Sequence, residues 1–149
     1  MQKAIHLSLK SITKGGGPFG AVIVKDGKEI ASGYNQVTTK NDPTAHAEVT
    51  AIRKAAKKLK KFDLSGCEIY TSCEPCPMCL SAIYWARIDK IYYANTKADA
   101  KSIGFDDSFI YDQLKLPQDK RIIPVIKMMR NEAIKAFERW ENKEDKMKY

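Results

Sequence analysis

The sequence predicts a single three-layer α/β domain built on a mixed sheet, and three observations carry that expectation. Two apolar-rich runs flank Asp26-Gly27, a dipeptide suited to a tight hairpin, so the sheet opens with antiparallel strands. Farther on, stretches with helical periodicity alternate with short apolar runs, an order that places helices on both faces of a sheet. The length, 149 residues of which 44% are apolar, suits one compact core.

The strands of the hairpin are expected at Phe19 to Lys25 and Lys28 to Tyr34. A polar loop, Gln36 to Asp42, follows them. Pro43 and Thr44 then precede a helical pattern from Ala45 to about Lys61, with Thr44 placed as the N-cap. A buried strand is expected at Glu68 to Thr71, a second helix from Cys76 to about Arg87, and a strand at Lys90 to Ala94. Arg121 to Met128 reads as a further strand interrupted by Pro124. Ala133, Ile134, Phe137 and Trp140 mark a terminal amphipathic helix, so residues 129–149 form a C-terminal helix and a charged tail.

Charge and composition narrow the function. A formal charge of +8 suits a phosphate-bearing partner, but its pattern is that of a solvated helix face. Arg53, Lys54, Lys57, Lys58, Lys60 and Lys61 cluster together, while Ile52, Ala55, Ala56 and Leu59 repeat at i, i+3, i+4 and i+7. Nucleic acid is therefore not the expected partner. Charged and polar residues from Lys3 to Lys10 break any secretory segment, and no apolar run approaches the roughly 20 residues of a membrane span. Gly15-Gly16-Gly17 lacks the lysine and hydroxyl residue of a phosphate loop and reads as a flexible entry to the hairpin.

The chemistry concentrates in two short motifs, His46-Ala47-Glu48 and, thirty residues on, Pro75-Cys76-Pro77-Met78-Cys79. A histidine and two cysteines supply three ligands for tetrahedral zinc and leave a fourth position for water, which distinguishes a hydrolytic site from a closed structural one. Glu48 is then free to move protons. Cys76 and Cys79, three apart at a helix start, project from one face, and helix N-termini favour thiolates. Cys73, Cys76 and Cys79 lie too close together for a disulfide framework, so a reduced, cytoplasmic protein is expected. Within a helix, two residues turn through about 200°, so His46 and Glu48 can share a site only at the helix end. The competing reading is a noncatalytic zinc module in which Cys73 is the fourth ligand. Cys67 reads as a small buried residue entering a strand.

These residues carry a family resemblance. The chain resembles the bacterial guanine deaminases of the cytidine deaminase superfamily through Gly16 to Val24, Asn41 to Arg53, Tyr70 to Arg87 and Gly104 to Tyr111. The first three blocks are partly shared with tRNA adenosine deaminases. The fourth, together with the terminal Tyr149, is particular to the guanine enzymes. The resemblance implies a three-layer α-β-α cytidine deaminase-like fold, domain-swapped at the C-terminus in a homodimer. It implies one zinc ion per subunit, held by His46, Cys76 and Cys79, with Glu48 passing protons as water attacks C2 of guanine and ammonia leaves to give xanthine.

By the same resemblance Asp107 is a second acid or base that binds the purine edge, Asn35 is an amide partner, and the Ala47 backbone contacts the base. Phe19 and Trp85 are aromatic walls, and Tyr149 completes the site, in a dimer that of the partner. From the residues alone, Phe19 and Trp85 also suit a core, and Asn35 suits a turn after a strand. A nucleoside or tRNA adenosine or cytosine deaminase and a guanosine deaminase remain the alternative enzymes. Purine salvage and nitrogen release are the metabolic setting the resemblance implies.

Overall fold

In the computed structural model, which describes residues 1–149, the chain divides into two compact units, Met1–Asp107 and Ser108–Tyr149. The first contains α1 (Gln2–Thr13), β1 (Gly20–Lys25), β2 (Lys28–Tyr34), α2 (Val37–Lys40), α3 (Ala47–Leu59), β3 (Cys67–Cys73), α4 (Pro77–Trp85), β4 (Lys90–Asn95) and α5 (Lys97–Ser102). The four strands form one sheet in the order β2-β1-β3-β4. β1 pairs antiparallel with both β2 and β3, while β3 and β4 run parallel, so the sheet is mixed as expected.

The hairpin turns at Asp26 and Gly27, both at positive φ (50° and 71°), as a two-residue turn matched to strand twist requires. Alternation along β1 then builds three layers. Ala21 and Ile23 face a core completed by Ala47, Ala51 and Ala55 of α3, Ile69 of β3 and Ile83 of α4. Val22 faces the other way, onto Ala4 and Leu7 of α1. α3 carries small residues on this inner face, so helix and sheet approach closely. At Gly33 a Cβ would lie 2.5 Å from the Ala47 carbonyl oxygen and 2.9 Å from the Ala51 nitrogen, so only glycine fits under the start of α3. Arg53, Lys54, Lys57, Lys58, Lys60 and Lys61 are all exposed, as the sequence pattern requires.

The second unit contains α6 (Ser108–Lys115), a short 3-10 turn (Gln118–Lys120) and α7 (Arg130–Glu141). The strand expected over Arg121 to Met128 is absent. A strand exists only where another supplies hydrogen-bond partners, and the sheet ends at β4; Pro124 also removes one donor. The apolar side chains of this segment are exposed, Ile123 at 75% and Ile126 at 80%. No helix is long and apolar enough to cross a membrane.

Candidate active site

The site forms where the starts of two helices meet. The expected N-cap, Thr44, instead closes a small turn in which the Asp42 carboxylate accepts bonds from the Thr44 amide and hydroxyl at 2.8 and 2.7 Å. His46 is the residue at the N-cap of α3, with extended backbone (φ −65°, ψ 160°) and a side chain that makes no cap hydrogen bond. Because it lies outside the helix, the 200° separation from Glu48 never applies. Cys76 caps α4 in the same way (φ −65°, ψ 168°), ahead of Pro77 at the first helical position, and Cys79 lies one turn in. A Pro at that position loses no hydrogen bond and favours the helical start.

His46 Nδ1 lies 3.6 Å from Cys76 Sγ and 3.5 Å from Cys79 Sγ. Zinc–nitrogen bonds of about 2.0 Å and zinc–sulfur bonds of about 2.3 Å at a tetrahedral angle require an N···S separation of about 3.5 Å. The three side chains therefore fit zinc in both donor type and spacing, their ligand atoms all within 4.8 Å of one another. Hydrogen bonding from Cys79 and from His46 holds the Cys76 thiol well below its ordinary range, with the proton retained on the more deeply buried Cys79. The bond to Cys76 in turn raises His46. Cys73 is excluded from the cluster: it ends β3 with its thiol 3.5 Å from the Thr96 carbonyl, and burial together with the nearby Glu48 charge pushes it up to about 11. Cys67 is wholly buried in β3, as read from sequence.

Glu48 is 6% exposed, its Oε2 3.3 Å from Cys79 Sγ. Burial raises its carboxyl above the ordinary value, which makes it a base able to hold a proton nearer neutrality.

Asn35 follows β2 directly and is 5% exposed. Its amide donates to the Phe19 carbonyl (3.0 Å), its carbonyl accepts from the Ser11 hydroxyl (2.9 Å), and its Oδ1 accepts from the Gly17 and Val37 amides (3.3 and 3.2 Å). The bond from the Val37 amide is the Asx turn that the end of a strand suits, and the remaining bonds tie that turn to Ser11, Gly17 and Phe19. With Oδ1 occupied, the side chain offers Nδ2 as its donor. Phe19 packs against the core and also meets Phe105 edge to face, ring centroids 4.9 Å apart. The Asp107 carboxyl is raised by burial and by the Cys76 charge, which places it within electrostatic range of the ligands. Ala47, fully buried, opens α3 with an amide that has no acceptor inside the helix.

Trp85 is not a core residue: at 66% exposure it lines a shallow surface cavity with Ser81, Tyr84 and Arg87. Tyr149 belongs to the second unit and is 71% exposed. Phe105 was not singled out from sequence. Its only signal was an aromatic residue beside Asp106-Asp107, and its contact with a residue 86 positions earlier has no local signature.

Residues 1–95 match the model of the cytidine and deoxycytidylate deaminase zinc-binding region. The chain belongs to that family. Its deaminase fold matches that of a guanine deaminase from Bacillus subtilis at TM-score 0.96, with 54% identity over 99% of this chain and 95% of the other. A comparison of sequences with the Bacillus subtilis guanine deaminase finds 53% identity over 100% of this chain and 96% of the relative. A guanine deaminase from Nitrosomonas europaea is similar at TM-score 0.69 and 35% identity, over 71% of this chain and 62% of that one. The tRNA-specific adenosine deaminase of Aquifex aeolicus is 40% identical over 94 residues, 63% of this chain and 62% of that protein. As a member of this family the chain has a zinc-binding deaminase domain, and His46, Cys76 and Cys79 are placed to bind the ion.

Proposed function

We propose that the protein deaminates guanine hydrolytically, giving xanthine and ammonia. The observation that carries this reading is identity held over the whole chain: the Bacillus subtilis guanine deaminase is 53% identical over all of it, whereas tRNA-specific adenosine deaminases are 40% identical over 63% of it in Aquifex aeolicus and 32% identical over 92% of it in Buchnera aphidicola. That extent includes Asp107 and Tyr149, beyond the shared zinc-binding region.

Zinc, when bound by His46, Cys76 and Cys79, supplies a water of lowered pKa beside Glu48. Glu48 takes a proton from the water and delivers it to the ring nitrogen next to C2 as the water oxygen adds to that carbon. Its raised basicity suits both transfers. The C2–N bond then breaks as the new C2 hydroxyl gives up its proton and becomes the carbonyl of xanthine, and the amine, taking up a proton in exchange, leaves as ammonia. Asp107 binds the purine edge and assists that protonation, for which a carboxyl raised by burial is suited. Asn35 Nδ2 donates to an acceptor on the purine, held in direction by the two amides on its Oδ1. Phe19 stacks on the base, and the Ala47 amide contacts it.

We infer that residues 1–149 act as one deaminase domain within a homodimer. A run of exposed apolar side chains supports that assembly. Ile122, Ile123, Val125 and Ile126 are exposed in the second unit, and β4 is an edge strand whose Tyr92 and Tyr93 are also exposed. Exchange of the C-terminal segment between copies adds residues 121–126 beside a partner's β4 and gives the missing strand its hydrogen-bond partners. In this assembly Tyr149 closes the active site, and Trp85 serves as an aromatic wall of the substrate site. The setting is cytoplasmic purine salvage and nitrogen release.

The test is ammonia release by the zinc-loaded protein from guanine, guanosine, adenine, adenosine, cytosine and cytidine, with Glu48→Ala as control. Turnover of guanine alone, lost in the variant, is expected. Preference for another base or nucleoside overturns the guanine assignment while keeping the zinc chemistry, and silence on all six points to tRNA.

A further inference from the structure

Between β4 and Asp107 the chain makes a compact path anchored at both ends. Thr96 and Asp99 close the start of α5 reciprocally: the Asp99 amide donates to the Thr96 hydroxyl oxygen (3.2 Å), and the Asp99 carboxylate accepts from the Thr96 amide (2.8 Å). Glu74, two residues before the ligand Cys76, accepts from the Lys97 amide at 3.1 Å and donates its own amide to the Asn95 carbonyl at 2.8 Å. The start of α5 is thereby tied to the segment that delivers a metal ligand.

The end of α5 is closed by Gly104. Its φ of +92° allows its amide to reach the Lys101 carbonyl and the Phe105 amide to reach the Ala100 carbonyl, both at 3.0 Å. These are the paired bonds of a left-handed helix closure. Lys101 Nζ also lies 2.9 Å from an Asp106 carboxylate oxygen, across the same turn. Immediately beyond, Phe105 meets Phe19 edge to face and Asp107 becomes half-buried.

We propose that Gly104 is a positioning residue for the reaction: its left-handed closure of α5, braced by the Lys101–Asp106 ion pair, sets the direction in which Phe105 and Asp107 enter the substrate site. A helix of six residues has little stability of its own, so the direction of the departing chain depends on these end bonds. The role rests on the reading of Asp107 as a purine contact.

The experiment compares guanine kcat and KM, zinc content and thermal midpoint for Gly104→Ala, Gly104→Asn, Asp107→Asn and the double variant Gly104→Ala/Asp107→Asn. A Cβ at Gly104 meets nothing within 4 Å, so Gly104→Ala probes backbone conformation and not packing. Displacement of a positioned group by about 1 Å costs up to roughly a hundredfold in rate. Expected are a loss of kcat/KM between about tenfold and a hundredfold in Gly104→Ala, with zinc retained, and recovery in Gly104→Asn, since asparagine tolerates positive φ. In the Asp107→Asn background, Gly104→Ala should cause little further loss. A low rate in Asp107→Asn beside an undiminished Gly104→Ala, or equal losses in both backgrounds, overturns the positioning role. A wild-type rate in Asp107→Asn overturns the reading of Asp107 itself. Should Gly104→Ala fail to fold, the exposed Lys101→Met serves: a several-fold loss restored by Lys101→Arg supports the brace, and no loss overturns it.

Discussion

His46 and Cys76 hold the same position on two different helices. Each is the residue before the first helical one, each has φ −65°, and their carbonyls accept the first helical bonds, from Thr50 at 2.9 Å and Leu80 at 2.8 Å. Neither side chain caps its own helix. Serine, threonine, asparagine or aspartate would normally stand there, and their absence costs about 1 kcal/mol per helix. Both side chains are turned instead toward a common point, where the partial positive charge of two helix starts favours thiolate.

That equivalence separates metal loss from helix loss. Cys76→Ser replaces a ligand with a better cap, so the fold should survive while zinc falls to near zero by metal analysis and guanine turnover disappears with it. Cys73→Ser should keep one zinc per chain and activity, since its thiol faces the Thr96 carbonyl. Retained zinc in Cys76→Ser would contradict the ligand assignment.

Gly33 underlies the start of α3. In Gly33→Ala the added carbon would lie 2.5 Å from the Ala47 carbonyl oxygen, backbone that cannot swing aside. Overpacking of this kind costs about 1–3 kcal/mol, measured as a lower denaturant midpoint. Because Ala47 adjoins both His46 and Glu48, zinc affinity should fall as well, read by competition with a chromogenic chelator.

Burial raises the Glu48 carboxyl above its ordinary 4.5, so the folded, metal-free protein holds this proton more tightly than the unfolded chain. Well below pH 4.5 both states are protonated and the site imposes no penalty. As pH rises, the unfolded chain ionises first and stability falls, until the folded value is passed and the penalty is complete. Glu48→Gln should abolish turnover and flatten this dependence, so that the chelator-treated variant unfolds at a higher midpoint than the chelator-treated wild type at pH 7. Equal midpoints would mean that Glu48 ionises without cost.

Deletion of Tyr149 should leave zinc content and thermal midpoint unchanged while guanine turnover drops at least tenfold, an effect of the order expected when a positioning contact is lost. Tyr149→Phe distinguishes hydroxyl from ring. Light scattering on the same samples should report a dimer, with Ile123→Asp and Ile126→Asp driving it toward monomer because charge replaces apolar area in the segment proposed to exchange. Unaltered guanine turnover after the deletion would remove Tyr149 from the site.

The sequence by itself determined the hairpin, the alternation of helix and strand, and the zinc ligands. These are written in short-range signals: Asp26-Gly27 demands a turn, apolar spacing over Ile52 to Leu59 demands one buried helix face, and Cys76 and Cys79 are brought together by a single helical turn. Even the error at Thr44 is local in origin. Capping preference points to threonine, but the Asp42 carboxylate holds Thr44 in its own turn and α3 starts only at Ala47.

Only the tertiary structure decided what depends on distant partners. Phe105 reaches Phe19 across 86 residues, Asn35 is locked by Ser11, Gly17 and Phe19, and Trp85 proves exposed, none of which a residue's neighbours in sequence can state. The segment 121–128 has the composition of a strand and is none in this chain. A strand is not a property of its own residues: its amides and carbonyls need a neighbour, and β4 is where this chain's sheet stops.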